Sequence, residues 1–251
     1  MNWKNEPLLS WLSCRSLPWA NNQILDWNDA FPRGTDVDAM RFVIERHHNP
    51  DAKIDMRTVV GQRDHYAGQT WLEALCTPQY KPGKMQGVIT RADDNPNYYF
   101  SGAIQRGIQL SSIDGVSWYS DTGGNHRTVV GKFLSEMHFN KKGEYPLVAG
   151  VSLTRYVIDW ESHDLFKKLL TYKDDGIHVS LQPREAGSCL IFHVGDFRFS
   201  RRGKFEHLTA EQFCSYAKWI INNDAKLTKL DKLQHWRQFW FGNQEKLVFF
   251  S

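Results

Sequence analysis

The chain has 251 residues, of which 41% are hydrophobic, so it can bury a core as one large domain or as two smaller ones. Its 31 Lys and Arg residues nearly balance 28 Asp and Glu residues, which excludes the chain-wide basic field of a strongly basic nucleic-acid-binding protein. No apolar run has the length that a bilayer requires, and the amino terminus lacks a classical export signal, so we expect a cytoplasmic protein with no membrane partner. Delivery by a bacterial secretion machine, which needs no such signal, stays open.

Residues 1–55 are predicted to form an amino-terminal arm with short helices. Tryptophans alternate there with Pro and Asn, which interrupt regular structure. Residues 36–46 place apolar side chains at helical spacing behind an acidic first turn. We therefore expect a short helix that ends before His47.

Residues 56–175 are predicted to form the central core, beginning with a strand over 56–60 and a helix over 69–75 that Pro78 closes. Residues 79–97 are rich in Lys, Gly, Pro, Asp and Asn, and we expect a long exposed loop or an edge hairpin there. Residues 107–119 alternate apolar and polar side chains on both sides of Asp114-Gly115, a pair typical of tight turns. This pattern predicts strands that lead to Asp121.

The second half of the core is predicted as a helix over residues 128–137, a strand over 147–160 and a helix over 161–172. Residues 176–251 form the carboxyl-terminal region, with a hairpin of two strands over 176–183 and 188–199. A helix follows whose first turn has a capping-box pattern from Thr209 to Gln212, and a last helix is expected over residues 227–240.

The junction at residues 118–127 carries the strongest functional pattern, because a strand passes through Gly123 and Gly124 and a His-Arg pair into a helix. Glycines let the backbone approach a ligand, the start of a helix presents free N–H groups, and His126 and Arg127 suit phosphate. The pattern predicts a site for a phosphate-bearing ligand. The alternative is an ordinary turn in which Asn125 caps the helix and Arg127 pairs with a nearby acid.

Gly-Gly-Asn-His-Arg at this junction resembles the phosphate loop of the ParB/sulfiredoxin superfamily, over residues 112–159. Sulfiredoxins carry Gly-Gly-Cys-His-Arg here, and ParB-like proteins carry a Gly-x-x-Arg box with nucleotide phosphates bound at the start of the following helix. Gly124, His126 and Arg127 match these positions, and Thr128 lies where a hydroxyl would add a phosphate contact. The resemblance implies an α+β fold with a central mixed sheet and helices, elaborated at both ends.

The sequence also departs from this superfamily. Asn125 replaces the catalytic cysteine of sulfiredoxins, so sulfinic-acid reduction is not expected. The amino-terminal ParB box is not clear, and Gln62-Arg63 is the remnant that we consider. No helix-turn-helix module is evident downstream, which argues against an operator-reading partition protein. The resemblance then implies the ParB-like branch of bacterial plasmids and other mobile elements, whose members are described as nucleotidases or DNA nucleases.

These matches assign roles to the side chains of the turn. Arg127 would neutralise phosphate charge, and His126 would donate to the same phosphate or act as a general base toward water. Asp121 would hold Mg²⁺ or orient His126. The catalytic set is thus His126, Asp121 and Arg127, and the phosphate-binding set is Gly123, Gly124, Asn125, His126, Arg127 and Thr128.

Two further clusters have residue types that suit nucleic-acid chemistry. Residues 45–48 and 62–65 combine acids, arginines and histidines, as a nuclease requires. The alternative is a solvated polar loop, and a role in catalysis requires that folding places these residues beside Arg127. A basic turn interleaved with phenylalanine would contact a nucleic-acid backbone, although hairpin tips are often basic because they are solvated. Its basic residues are Arg198, Arg201, Arg202 and Lys204.

The sequence therefore predicts phosphate chemistry on a nucleotide or on DNA, as an NTP hydrolase or a DNA endonuclease, with Mg²⁺ as cofactor and ATP or CTP as ligand. The alternative is a non-catalytic, nucleotide-gated regulator or a protein-interaction module that retains this fold.

Overall fold

The computed structural model describes residues 6–31, 38–100, 107–121, 123–183, 188–197 and 205–223. Over these ranges the chain is a mixed α+β protein, which confirms the predicted fold class. It forms two compact units, one of residues 1–35 with 46–157 and the other of residues 36–45 with 158–251.

A six-stranded mixed sheet is the centre of the first unit. Its strands in chain order are β1 (Leu25–Asp26), β2 (Val43–Asp55), β3 (Val59–Gln62), β4 (Gln109–Ser112), β5 (Trp118–Ser120) and β6 (Leu147–Ile158). Their order in the sheet is β1-β3-β5-β4-β6-β2. The pairs β1–β3, β3–β5 and β4–β6 are parallel, whereas β4 and β5 form the predicted antiparallel hairpin across Asp114-Gly115.

The described residues of this unit form four α-helices: α1 (Leu8–Ser13), α2 (Trp71–Cys76), α3 (Pro82–Asp94) and α4 (Asn125–Lys142). α4 buries Val129, Phe133 and Met137 at helical spacing in the apolar core, as predicted. It ends at Gly143, whose φ of 79° is left-handed, a conformation that glycine adopts at little cost.

Two local predictions are wrong. The helix expected over 36–46 is a short 3₁₀ turn, Ala39–Phe42, after which β2 begins at Val43. β2 is last in the strand order, and such an edge strand tolerates Pro50 and a largely exposed polar run. The expected loop over 79–97 contains α3, which has Pro82 at its first position and buries Met85, Ile89 and Ala92.

The second unit contains a three-stranded antiparallel sheet of β7 (Ile177–Leu181), β8 (Ile191–Asp196) and β9 (Phe205–Thr209), in that order. It also contains helices α5 (Trp160–Leu170) and α6 (Ala210–Asn223). The capping box is confirmed, because Thr209 and Gln212 exchange hydrogen bonds of 3.0 and 3.4 Å. The sequence had not indicated β9, and the helix predicted over 227–240 lies outside the described residues.

Candidate functional site

The predicted turn lies where two parallel strands end. β3 and β5 are neighbours in register, with Gln62 opposite Ser120, and the chain passes from Ser120 through the turn into α4. In sheets of this kind ligands bind beyond the carboxyl ends of parallel strands, next to the start of a helix. The fold therefore places the Gly-Gly-Asn-His-Arg segment at a position suited to an anion.

Gly124, rather than Asn125, is the N-cap of α4, and its φ is 84°. The interpretation in which Asn125 caps the helix is wrong, because Asn125 is the first helical residue and its Oδ1 accepts from Ser120 Oγ at 2.6 Å. The first bond within the helix runs from the amide of Thr128 to the carbonyl of Gly124 at 2.8 Å. The amides of residues 125–127 thus have no acceptor within an 18-residue helix, at the end where its dipole is positive.

Arg127 lies against the chain before β4. If Gly107 carried a Cβ, that atom would lie 3.0 Å from Nη1 of Arg127. Nη1 is buried and has no hydrogen-bond partner among the described residues. The alternative in which Arg127 pairs with a nearby acid therefore finds no support in the described part of the chain. A guanidinium nitrogen that is buried without an acceptor carries a free-energy cost that a bound anion would remove.

A cavity of about 350 Å³ adjoins Arg127. It lies between the end of α3 and the 3₁₀ turn Pro96–Tyr99, a region that sequence reasoning assigned to a loop. Its lining combines two arginines, two tyrosines, apolar side chains, a carboxylate and an amide: Val88, Arg91, Ala92, Asp94, Asn95, Tyr98, Tyr99 and Arg127. Burial raises the pKa of Tyr99, and the charge of Arg127 acts against this shift.

His126 points into a different environment from Arg127. Its ring makes an edge contact with Tyr66, with centroids 5.5 Å apart, and a tilted contact with Tyr80 at 6.1 Å. Burial lowers the pKa of His126, whereas the nearby carbonyls of Tyr80 and Lys81 act in the opposite direction. The neutral imidazole is therefore favoured, which is the form that a general base requires.

Asp121 is bound to its own neighbours. Its Oδ2 accepts from Ser111 Oγ at 2.7 Å, and its Oδ1 lies 3.4 Å from Arg63 Nη1. No described contact joins Asp121 to His126, so the structure does not form the predicted Asp-His pair. The group around Asp121 is a carboxylate, a hydroxyl and a half-exposed guanidinium at the edge of the turn.

A buried polar cluster lies beneath the turn. Thr128 Oγ1 donates to the carbonyl of Gly124 at 3.1 Å and to Ser120 Oγ at 3.3 Å, so its hydroxyl is engaged inside the protein. Gln62 Nε2 approaches the carbonyl of Asn125 at 3.5 Å. Gln62 Oε1 and Asn125 Nδ2 are buried without partners in the described residues. Sequence reasoning missed Ser111, which lies within β4, and Ser120, which ends β5 just before the glycines.

Of the predicted nuclease-like cluster, folding brings residues from 62–65 to the turn and leaves residues 46–48 away from it. Gln62 and Arg63 contact Asn125 and Asp121, and His65 stacks on Tyr80 at 3.7 Å. Residues 46–48 lie on β2, which β5, β4 and β6 separate from β3. The basic turn with Arg198, Arg201, Arg202 and Lys204 lies outside the described residues.

The described ranges contain no group of three His, Cys, Asp or Glu side chains arranged to hold a metal ion. Among the same residues, none of the helices combines the length and the apolar character that a membrane crossing requires. Comparisons with protein-family models, with curated proteins and with solved structures give no match.

Proposed function

We propose that the chain is a ParB/sulfiredoxin-like nucleotide-binding protein that holds the phosphates of its ligand at the first turn of α4. The observation that carries this proposal is the buried Nη1 of Arg127, which has no hydrogen-bond partner among the described residues, beside a helix start whose first amides have no intrahelical acceptor. Free amides, the helix dipole and a guanidinium are the donors that phosphate groups require. Gly124 supports the same interpretation, because it lets the backbone turn tightly at this point.

The surroundings of the turn agree with the resemblance. The superfamily has a box of residues before its phosphate loop, and we propose Gln62-Arg63 as the remnant of that box in this sequence. Gln62 and Arg63 contact the turn through Asn125 and Asp121 although about 60 residues separate them in the chain.

The cavity beside Arg127 favours a nucleotide over a bare phosphate. Its volume of about 350 Å³ is within the usual range of small-molecule sites, about 300–1,000 Å³. Two tyrosines and the apolar side chains of Val88 and Ala92 line it together with charged and amide side chains, which suits a nucleoside attached to phosphates. We therefore propose ATP or CTP as the ligand. If the protein is a nuclease, a phosphate of the DNA backbone would bind at the same turn.

Phosphate hydrolysis is the activity that we propose for this site. His126 would accept the proton of the attacking water, because its lowered pKa keeps the ring neutral near physiological pH. Asp121 fits a role in holding Mg²⁺, which proteins bind through one or two carboxylates together with substrate phosphates. Bound Mg²⁺ would supply neutralisation of the phosphate charge.

A nucleotide-gated regulator is the second candidate, and one observation favours it. Asp121 and His126 contact separate sets of side chains and do not contact each other in the described structure. A site of this form would bind a nucleotide without turnover and would report occupancy to a protein partner.

The test is isothermal titration of ATP, CTP, GTP and UTP, with and without Mg²⁺, into the wild type and Arg127→Ala. Arg155→Ala is the matched control, because Arg155 lies at the far side of the β4–β5 hairpin, beside Gly115. We expect saturable binding that is lost in Arg127→Ala and kept in the control. Absence of binding to all four nucleotides in the wild type would refute the proposal.

Turnover assays then separate the two candidates. An enzyme loses hydrolysis of NTP or cleavage of DNA in His126→Ala or Asp121→Asn and keeps nucleotide binding in the absence of Mg²⁺. A regulator shows no turnover in the wild type, and its partner binding depends on Arg127.

A further inference from the structure

The three-stranded sheet of the second unit has two chemically different faces. Side chains alternate between the faces of a strand. On one face Phe192 of β8 stacks on Phe213 of α6, with ring centroids 3.8 Å apart, and Val194 is buried. His193 lies between these two residues and therefore projects from the opposite face, away from α6.

Two histidines are direct neighbours on this opposite face. His193 of β8 is in register with His207 of β9, and their ring centroids are 4.4 Å apart. On its other side His193 is in register with Ser180 of β7. Side chains opposed in this way have Cβ atoms about 4.5–5.5 Å apart, so both imidazoles can reach one point between them.

The two rings differ in their surroundings. His193 Nε2 is buried and has no hydrogen-bond partner among the described residues. His207 is exposed, so its ring can rotate with little cost in packing. A buried ring nitrogen without a partner loses the hydrogen bond that water would supply, and the adjacent ring of His207 can share a ligand with it.

We propose that His193 and His207 bind a late first-row divalent metal ion, such as Zn²⁺. Imidazole nitrogen is a preferred ligand of Zn²⁺, Ni²⁺ and Cu²⁺, and the Zn–N distance of about 2.0–2.1 Å allows two rings on adjacent strands to share one ion. Water would complete the coordination, since the described residues contain no group of three metal-binding side chains. The bound ion would link β8 to β9 and stabilise the folded unit, because the ligand binds the native state.

The experiment is a ZnCl₂ titration of the full chain, purified without a histidine tag, followed by calorimetry and by the thermal midpoint Tm. The variants are His207→Ala and His193→Asn. The control is His178→Ala, because His178 lies on the same face of the sheet but is in register with Gly195 and not with either proposed ligand. His207→Ala is the decisive variant, because the exposed side chain is not part of the core. Dichroism spectra compare its fold with that of the wild type.

We expect Zn²⁺ to raise the Tm of the wild type and of His178→Ala in a dose-dependent way that a chelator reverses. Loss of one ligand should weaken Zn²⁺ binding at least about tenfold, since even outer-shell changes have effects of that size. Unchanged Zn²⁺ affinity in folded His207→Ala would overturn the proposal, as would the absence of Zn²⁺ binding to the wild type. Neither result depends on the nucleotide site.

Discussion

Gly124 and Gly107 are packed so closely that a Cβ on Gly124 would lie 1.9 Å from the carbonyl oxygen of Gly107. The contact joins the start of α4 to the chain that enters β4. Gly124 also has a φ of 84°, which side chains other than that of glycine rarely adopt. Two independent physical reasons therefore require glycine at this position of the turn.

We predict that Gly124→Ala destabilises the protein far more than Gly143→Ala does. Gly143, the C-cap of α4, has a similar φ of 79°, but a Cβ added there would have no described atom within 4 Å. The left-handed conformation alone costs alanine about 1–2 kcal/mol, and the overlap with Gly107 should add about 1–3 kcal/mol in Gly124→Ala. Urea unfolding of both variants measures the difference, and equal losses would show that the Gly124–Gly107 contact is absent in solution.

The local parts of this site could be predicted from the sequence. Glycines before a run of apolar residues at helical spacing indicate a turn into a helix, and Asp114-Gly115 indicates the β4–β5 hairpin. Each of these patterns depends on residues that are close in the chain. The structure confirms both elements, with α4 longer at each end than predicted.

The non-local parts could not be predicted. Whether Gln62 or His48 approaches the turn depends on the strand order, which places β3 beside β5 and β2 at the opposite edge. The wall of the cavity was missed because Gly, Lys and Pro in α3 hid the helical spacing of Met85, Ile89 and Ala92. A residue pattern within one segment does not encode which other segment will cover it.

The partly buried ammonium of Lys132 should make the free energy of unfolding depend on pH in the alkaline range. Its Nζ donates to the carbonyls of Val59 at 2.7 Å and Met56 at 2.9 Å, and it lies over the rings of Trp19 and Trp71. Burial lowers the pKa of Lys132 to about 8, against the opposing charges of Asp55 and Glu136.

Between pH 8 and the ordinary lysine value of about 10.4, the unfolded chain therefore binds a proton that the folded chain does not. The free energy of unfolding should rise with pH in this window, by at most about 1.4 kcal/mol per pH unit. We predict that Lys132→Met removes this contribution and also lowers stability at pH 7, because two carbonyls lose their donor. Urea unfolding from pH 7 to 9.5 tests this, and parallel curves for the two proteins would contradict it.

His126 should make the protein less stable in mild acid. Burial lowers its pKa in the folded state, so below about pH 6.5 the unfolded chain takes up a proton before the folded chain does. The free energy of unfolding should fall as the pH decreases from 6.5 and level off below the folded-state pKa of His126. His126→Phe, which keeps an aromatic ring against Tyr66, should show a smaller loss between pH 7.5 and 5.5. An equal loss in both proteins would show that His126 is solvated.

Asp121 should control the effect of Mg²⁺ on nucleotide binding and leave the Mg²⁺-free affinity almost unchanged. Asp121→Asn keeps an oxygen that can accept from Ser111 and removes the charge opposite Arg63. The ion pair between Asp121 and Arg63 is partly exposed, so its loss should cost about 1 kcal/mol or less. Since a neutral amide is a poor ligand for Mg²⁺, the gain in affinity that Mg²⁺ gives the wild type should disappear in the variant. Asp51→Asn, on the exposed edge strand β2, is the charge-matched control. Titration of ATP and CTP with and without Mg²⁺ measures the effect, and an Mg²⁺ gain that survives in Asp121→Asn would assign the ion to other ligands.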